Sequence, residues 1–275
     1  MAERRDQRRF WQIIPIVIAT VAVITALGAI VVGLRSSLSE PTSAAVSHAS
    51  RPVIAQSVTP PAAASAPRVG NEQNRVSKAL SGPLRAAQDT LKSRNYPDAI
   101  ARLEAADRTQ GKSPYDQHVI NALLSEAYVG VKDYASAGRV VEAGLIDGFL
   151  TSSQAERETI VAALVNYQIK NYDKAIEFGS RAIRSGSTNP QVPTVVGQGY
   201  YLKGDWGNAE RFEEEFVSRQ AATGVTPDRH SLELWMSACL NLRDDSCEKR
   251  ALEKLVAYYP TPETQRELVR LQAAR

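Results

Sequence analysis

The chain of 275 residues offers few side chains that could do chemistry. Its cysteines are Cys239 and Cys247, and its histidines are His48, His118 and His230. A zinc or iron–sulfur site gathers about four such ligands at close spacing. His118 and His230 lack a second ligand at that spacing, so both read as surface side chains. Glu213, Glu214 and Glu215 form an acidic run that reads as a solvated helix face rather than a paired-carboxylate site. A glycine-rich phosphate loop, a Gly-x-Ser-x-Gly elbow and a His-Glu-x-x-His pair are all missing from the sequence. These observations argue against an enzyme and call for no cofactor and no metal.

The elements that carry these residues are helical hairpins. One short pattern recurs: Asn95-Tyr96-Pro97-Asp98-Ala99, Asp133-Tyr134-Ala135-Ser136-Ala137, Asn171-Tyr172-Asp173-Lys174-Ala175 and Asp205-Trp206-Gly207-Asn208-Ala209. The aromatics are 38, 38 and 34 residues apart. Each pattern follows one helix-like stretch and opens another. The Asn or Asp can cap the second helix, the aromatic can wedge between the helices, and the Ala leaves room for close packing. Arg94, Lys132 and Lys170 end the first helices, where a cation suits the negative end of the dipole. Ser113-Pro114, Ser153-Gln154-Ala155-Glu156 and Asn189-Pro190 read as helix starts. Thr226-Pro227-Asp228 opens a fifth, degenerate pair at about 228–242 and 246–259, and Thr261-Pro262-Glu263 starts a capping helix over 261–275. Cys239 and Cys247 flank the turn of the fifth pair. There a disulfide between facing helices and two buried free thiols are both open.

With these four units in register, the chain resembles the tetratricopeptide repeat family, whose unit is about 34 residues in two antiparallel helices. The fourth unit matches best, with Gly197, Tyr200 and Tyr201 ahead of Gly204-Asp205-Trp206 and Ala209. Leu124, Ser125 and Tyr128 take the corresponding places in the second unit, and Ala163 and Ala182 in the third. The first unit is poorer, because Pro83 interrupts the start of its first helix. The resemblance covers roughly Leu80 to Tyr259. It implies an all-α solenoid over residues 78–260 whose first helices line a concave groove. In the family's register that groove holds Gln88, Lys92, Glu126, Arg157, Tyr167, Gln198 and Tyr201. The Lys and Asn set with which some family members clamp a terminal carboxylate is not present here. The mixture of Tyr, Gln and a few charges suits an extended peptide or a partner helix.

Ahead of the hairpins the composition changes twice. Residues 1–9 carry Arg4, Arg5, Arg8 and Arg9, and residues 10–34 are an uncharged, apolar run. About 20 apolar residues in a helix cross a bilayer core, so this run is long enough to span one. It exceeds the apolar region of a cleaved signal peptide, and the small residues Ser43-Ala44-Ala45 lie well past its end. The Arg excess ahead of the run places residues 1–9 in the cytoplasm and the rest outside, which in a bacterial inner membrane is the periplasm. Thr25, Ala29 and Gly33 form a small-residue stripe that would let two such helices pair as a homodimer. Residues 35–77, with Pro41, Pro52, Pro60, Pro61 and Pro67, read as a flexible linker reaching roughly 35 Å.

Lys and Arg number 33 against 30 Asp and Glu, a net charge of +3. Residues 1–76 hold 8 of the basic and 4 of the acidic side chains, which leaves a near-neutral 25 against 26 for the hairpins. Nucleic acid is therefore not an expected partner. The expectation is a membrane-anchored adaptor that binds another protein. A holding chaperone for emerging envelope proteins and a structural subunit of a larger membrane machine are the alternatives.

Overall fold

A computed structural model describes residues 74–273. The expected tail, apolar run and most of the linker lie outside the described residues. Among the described residues all regular structure is helical, and no helix is long and apolar enough to cross a membrane.

The helices are α1 (Lys78–Lys92), α2 (Tyr96–Asp107), α3 (Pro114–Gly130), α4 (Tyr134–Ile146), α5 (Ser152–Gln168), α6 (Tyr172–Arg184), α7 (Gln191–Leu202), α8 (Trp206–Ala222), α9 (Arg229–Leu242), α10 (Asp245–Tyr258) and α11 (Pro262–Ala273). They pair as α1/α2, α3/α4, α5/α6, α7/α8 and α9/α10. Each helix packs on the next, and α1 also meets α3, as α5 meets α7 and α7 meets α9. The result is a repeat-like stack in which every hairpin is held mainly by its sequence neighbours.

The turns repeat in atomic detail. Arg94, Lys132, Lys170, Gly204 and Arg243 all take a left-handed backbone, with φ between 58° and 80°. After α3, Lys132 N–H donates to Val129 O and Asp133 N–H to Tyr128 O, and the same pair of bonds recurs after α1, α5, α7 and α9. This left-handed termination satisfies carbonyls that the helix end would otherwise leave bare. The cations at the first three turns thus occupy a backbone position that only glycine takes without strain. Asp133, Asn171 and Asp205 accept from the backbone N–H three residues on, as their types predict, while Asn95 makes no such bond.

Three expectations about helix starts change. Helix α7 begins at Gln191 with Pro190, not Asn189, at its cap and no side-chain cap bond, while Asn189 Oδ1 accepts from Gln191 N–H. The cap of α5 is Thr151, not Ser153: Thr151 Oγ1 accepts from Gln154 N–H, and Gln154 Oε1 accepts from Thr151 N–H. Either hydroxyl satisfies the same pattern in sequence, and the box closes where the third helical residue is an amide. Helix α1 runs through Pro83 without interruption. Ser81, Gly82 and Pro83 all face solvent, so the carbonyl that loses its donor can bond water.

The two helices of a hairpin have different lives. Second helices bury one stripe, such as Ala175, Ile176, Phe178, Gly179 and Ala182 on α6. First helices are covered on several sides. On α5 every residue from Glu158 to Tyr167 is buried, and on α9 every residue from Ser231 to Leu240. The motif alanines Ala99, Ala137, Ala175 and Ala209 are fully buried at the helix contacts. The motif aromatic also reaches beyond its own hairpin. A Cβ at Gly130 would come within 2.6 Å of the Tyr96 ring, so the end of α3 rests directly on that ring.

Candidate binding face

The covering of the first helices decides where the expected groove residues lie. Lys92 is exposed and pairs with Asp89 at 3.1 Å. Gln88 and Arg157 are half-buried. Glu126, Tyr167, Gln198 and Tyr201 are buried, each at 9% exposure or less. The expected tyrosine contact patch is therefore not an open surface in this structure.

Tyr167, Gln198 and His230 instead form a polar ladder across α5, α7 and α9. The Tyr167 hydroxyl donates to Gln198 Oε1, and Gln198 Nε2 lies against His230 Nε2. In this arrangement the amide donates to an unprotonated imidazole nitrogen, which places the His230 proton on Nδ1. Burial pushes the His230 pKa down, against the pull of Asp228 and Glu233. Burial also raises the Tyr167 and Tyr201 hydroxyls. Tyr201 turns to α9, where its oxygen accepts from Asn241 Nδ2 at 3.1 Å. Gln198 and Tyr201, one turn apart on α7, thus serve the joints to both neighbouring hairpins rather than one shared external patch.

Two other sequence readings change. His118 is 5% exposed, not a surface residue; its Nδ1 lies 2.8 Å from Asp147 Oδ2, and its ring packs against those of Tyr115 and Phe149. Glu213 is 1% exposed and does not belong to a solvated face. It lies over Gly197, where a Cβ would come within 1.8 Å of its carboxyl oxygen, and burial pushes its pKa well up while a Ser231 hydrogen bond opposes. Its neighbours do face outward, Glu214 pairing with Arg250 and Glu215 with Arg219. Asn166, Glu142 and Lys174, which sequence reasoning passed over, form a further polar joint between α5, α4 and α6.

Cys239 and Cys247 are joined as a disulfide between α9 and α10, with Cα atoms 5.4 Å apart. Both are buried. The described residues hold no cluster of three or more His, Cys, Asp or Glu that could bind a metal.

Among the accessible polar residues of the first helices are Gln88 and Lys92 on α1, Gln117 and Asn121 on α3, and Arg157 on α5. Gln117 Nε2 donates to Asn121 Oδ1 at 3.1 Å, one turn along α3. That i, i+4 amide pair was the available signal for this patch, and it went unused because amides on a helix are ordinary. No protein-family model matches the chain, and no curated protein does either.

Proposed function

We propose that this chain is a single-pass, membrane-anchored protein whose tetratricopeptide-like solenoid binds a protein partner in the periplasm. The observation that carries the reading is the recurrence of one hairpin: the same aromatic, alanine and left-handed turn at intervals of 34–38 residues. Stacked hairpins of this kind offer a long surface and no enclosed reaction chamber, which favours binding over catalysis. Residues 10–34 supply the anchor, residues 35–77 the tether, and the Arg-rich tail the orientation. The disulfide supports an oxidising compartment.

The partner, a peptide or helix of another protein, contacts polar first-helix residues that remain accessible, Gln88, Lys92, Gln117, Asn121 and Arg157 among them. The test is photo-crosslinking in intact cells from a reactive residue at position 92, 117 or 121, with position 139 on the second-helix side as control. A single crosslinked protein from the first three positions and none from the fourth is the expected result. Adducts to many envelope proteins would favour the chaperone alternative. Equal labelling from all four would remove the first-helix reading.

A further inference from the structure

The joint between the fourth and fifth hairpins has a polar centre. Its apolar contact is a small cluster, in which Tyr201 and Ala209 of the fourth hairpin meet Leu234 and Ala238 of the fifth. Around this cluster Gln198 meets His230, Asn241 donates to Tyr201, and Glu213 bonds Ser231. The fifth hairpin has a core of its own, in which Trp235, Met236, Leu252 and Leu255 lie with the Cys239–Cys247 bond and α8 contributes Val217. It can therefore shift against the fourth hairpin while keeping most of its internal packing.

His230 is the group in this joint whose charge decides the hydrogen bonding. Uncharged, its Nε2 accepts from the Gln198 amide, whose oxygen accepts from the Tyr167 hydroxyl. A proton on Nε2 turns that acceptor into a donor facing a donor. If the Gln198 amide rotates to answer it, the amide nitrogen turns to Tyr167, and the Tyr167 hydroxyl, 6% exposed, loses its acceptor. Either outcome leaves a buried donor unmet, which costs more than a hydrogen bond contributes when made. The neighbouring charges do not repair this. Asp228 and Glu233 attract a charged ring from its own helix, but Asp228 caps α9 and Glu233 pairs with Arg229 at 2.8 Å. The other elements bring the Gln198 amide and the hydroxyls of Tyr167 and Tyr259, the last bonded to Pro227 O just ahead of the cap. The α8 carboxyl at this joint, Glu213, is held uncharged in acid by its burial and supplies no anion. Burial outweighs Asp228 and Glu233 and holds the His230 pKa below its ordinary value.

We infer that the joint between the fourth and fifth hairpins is an acid-released latch, closed while His230 is uncharged and loosened when His230 takes a proton. The direction follows from linkage. A histidine whose folded pKa is depressed leaves stability intact above its unfolded value, about 6.5, and removes it as pH falls below that value. Release frees the start of α9 from α7 and lets the stapled hairpin swing, while the first three hairpins keep their contacts. The line of first helices then loses one hairpin in acid.

The test follows amide exchange along the full chain in detergent micelles at about pH 7.5 and about pH 5.0, on either side of that ordinary value, with intrinsic rates corrected. Protection in α7 and the first turns of α9 should fall by about three- to tenfold in acid, and protection in α1–α4 should hold. His230→Gln offers Gln198 an uncharged acceptor at every pH, so its α7 and α9 should be equally protected under both conditions. An acid loss in that variant equal to the parent's would overturn the latch. So would a parent whose α7 and α9 hold in acid, or one that loses protection equally along the whole stack. Should the variant fail to fold, the parent decides: its His230 ring signal in proton NMR should titrate below about 6.5, and titration at or above that value would overturn the latch.

Discussion

At the scale of single residues, polar type and position part company in this chain. Tyr167, Gln198, Glu126 and Glu213 read from sequence as surface groups because Tyr, Gln and Glu in a helix default to water. They are interior because helices α3, α5, α7 and α8 are covered by neighbours that a local pattern does not reveal. Glu213 gives the sharpest consequence. Its folded pKa is raised, so the folded chain keeps a proton that the unfolded chain releases in the ordinary carboxylate range. Stability therefore falls as pH rises from that range towards the folded value. Glu158, pushed up to about 7 by burial, adds the same trend only up to that point. Unfolding midpoints measured across pH should show Glu213→Gln flattening the decline above the ordinary carboxylate range, since the amide fills the same space without a charge. A second prediction concerns the ladder. Tyr167→Ala with Tyr201→Ala should lower stability by at least about 3–5 kcal/mol, the range for a single buried aromatic. In a denaturant titration, a double variant as stable as the parent would mean that the two rings face solvent.

At the scale of elements, much was legible. The hairpin boundaries followed from an Asn or Asp, an aromatic and an Ala in fixed order, because capping, wedging and close packing each need one residue type. Ala175 is the cleanest test of that register, being fully buried at the start of α6. Ala175→Leu should overpack the α6 contact and lower stability by about 1–3 kcal/mol, read as a lower chemical-denaturation midpoint. What the sequence hid was the turn itself. Arg94, Lys132, Lys170 and Arg243 stand where glycine is the usual residue, so the left-handed backbone had no glycine to announce it; only Gly204 did. Pro83 misled in the opposite direction, since an exposed proline near a helix start is tolerated where water can serve the freed carbonyl.

At the scale of the whole molecule, the stack is closed at both ends by different devices. The Ser77–Asp116 bond clips the first hairpin to the second, and the Cys239–Cys247 disulfide staples the fifth. Reduction should lower the stability of the C-terminal hairpin by about 2–3 kcal/mol, the chain-entropy value for so short a loop. Hydrogen exchange should show that loss in α9 and α10 while α1–α4 stay protected, because hairpins that touch mainly their neighbours open locally. An equal loss of protection along the chain would mean that the stack unfolds as one unit.

The neighbour-only contacts also determine how the stack carries load. A protein bound to a first-helix face and pulling against a tethered membrane anchor would stretch the hairpins in series, since each joint transmits the full tension to the next. The weakest joint would open first and the others would follow one at a time. On the anchored reading, the Ser77–Asp116 clip would sit where tension enters the described stack, and the covalent cross-link would hold the far hairpin. Under such a load the stack would act as a spring, extending in its middle hairpins and recoiling by re-forming the same local contacts.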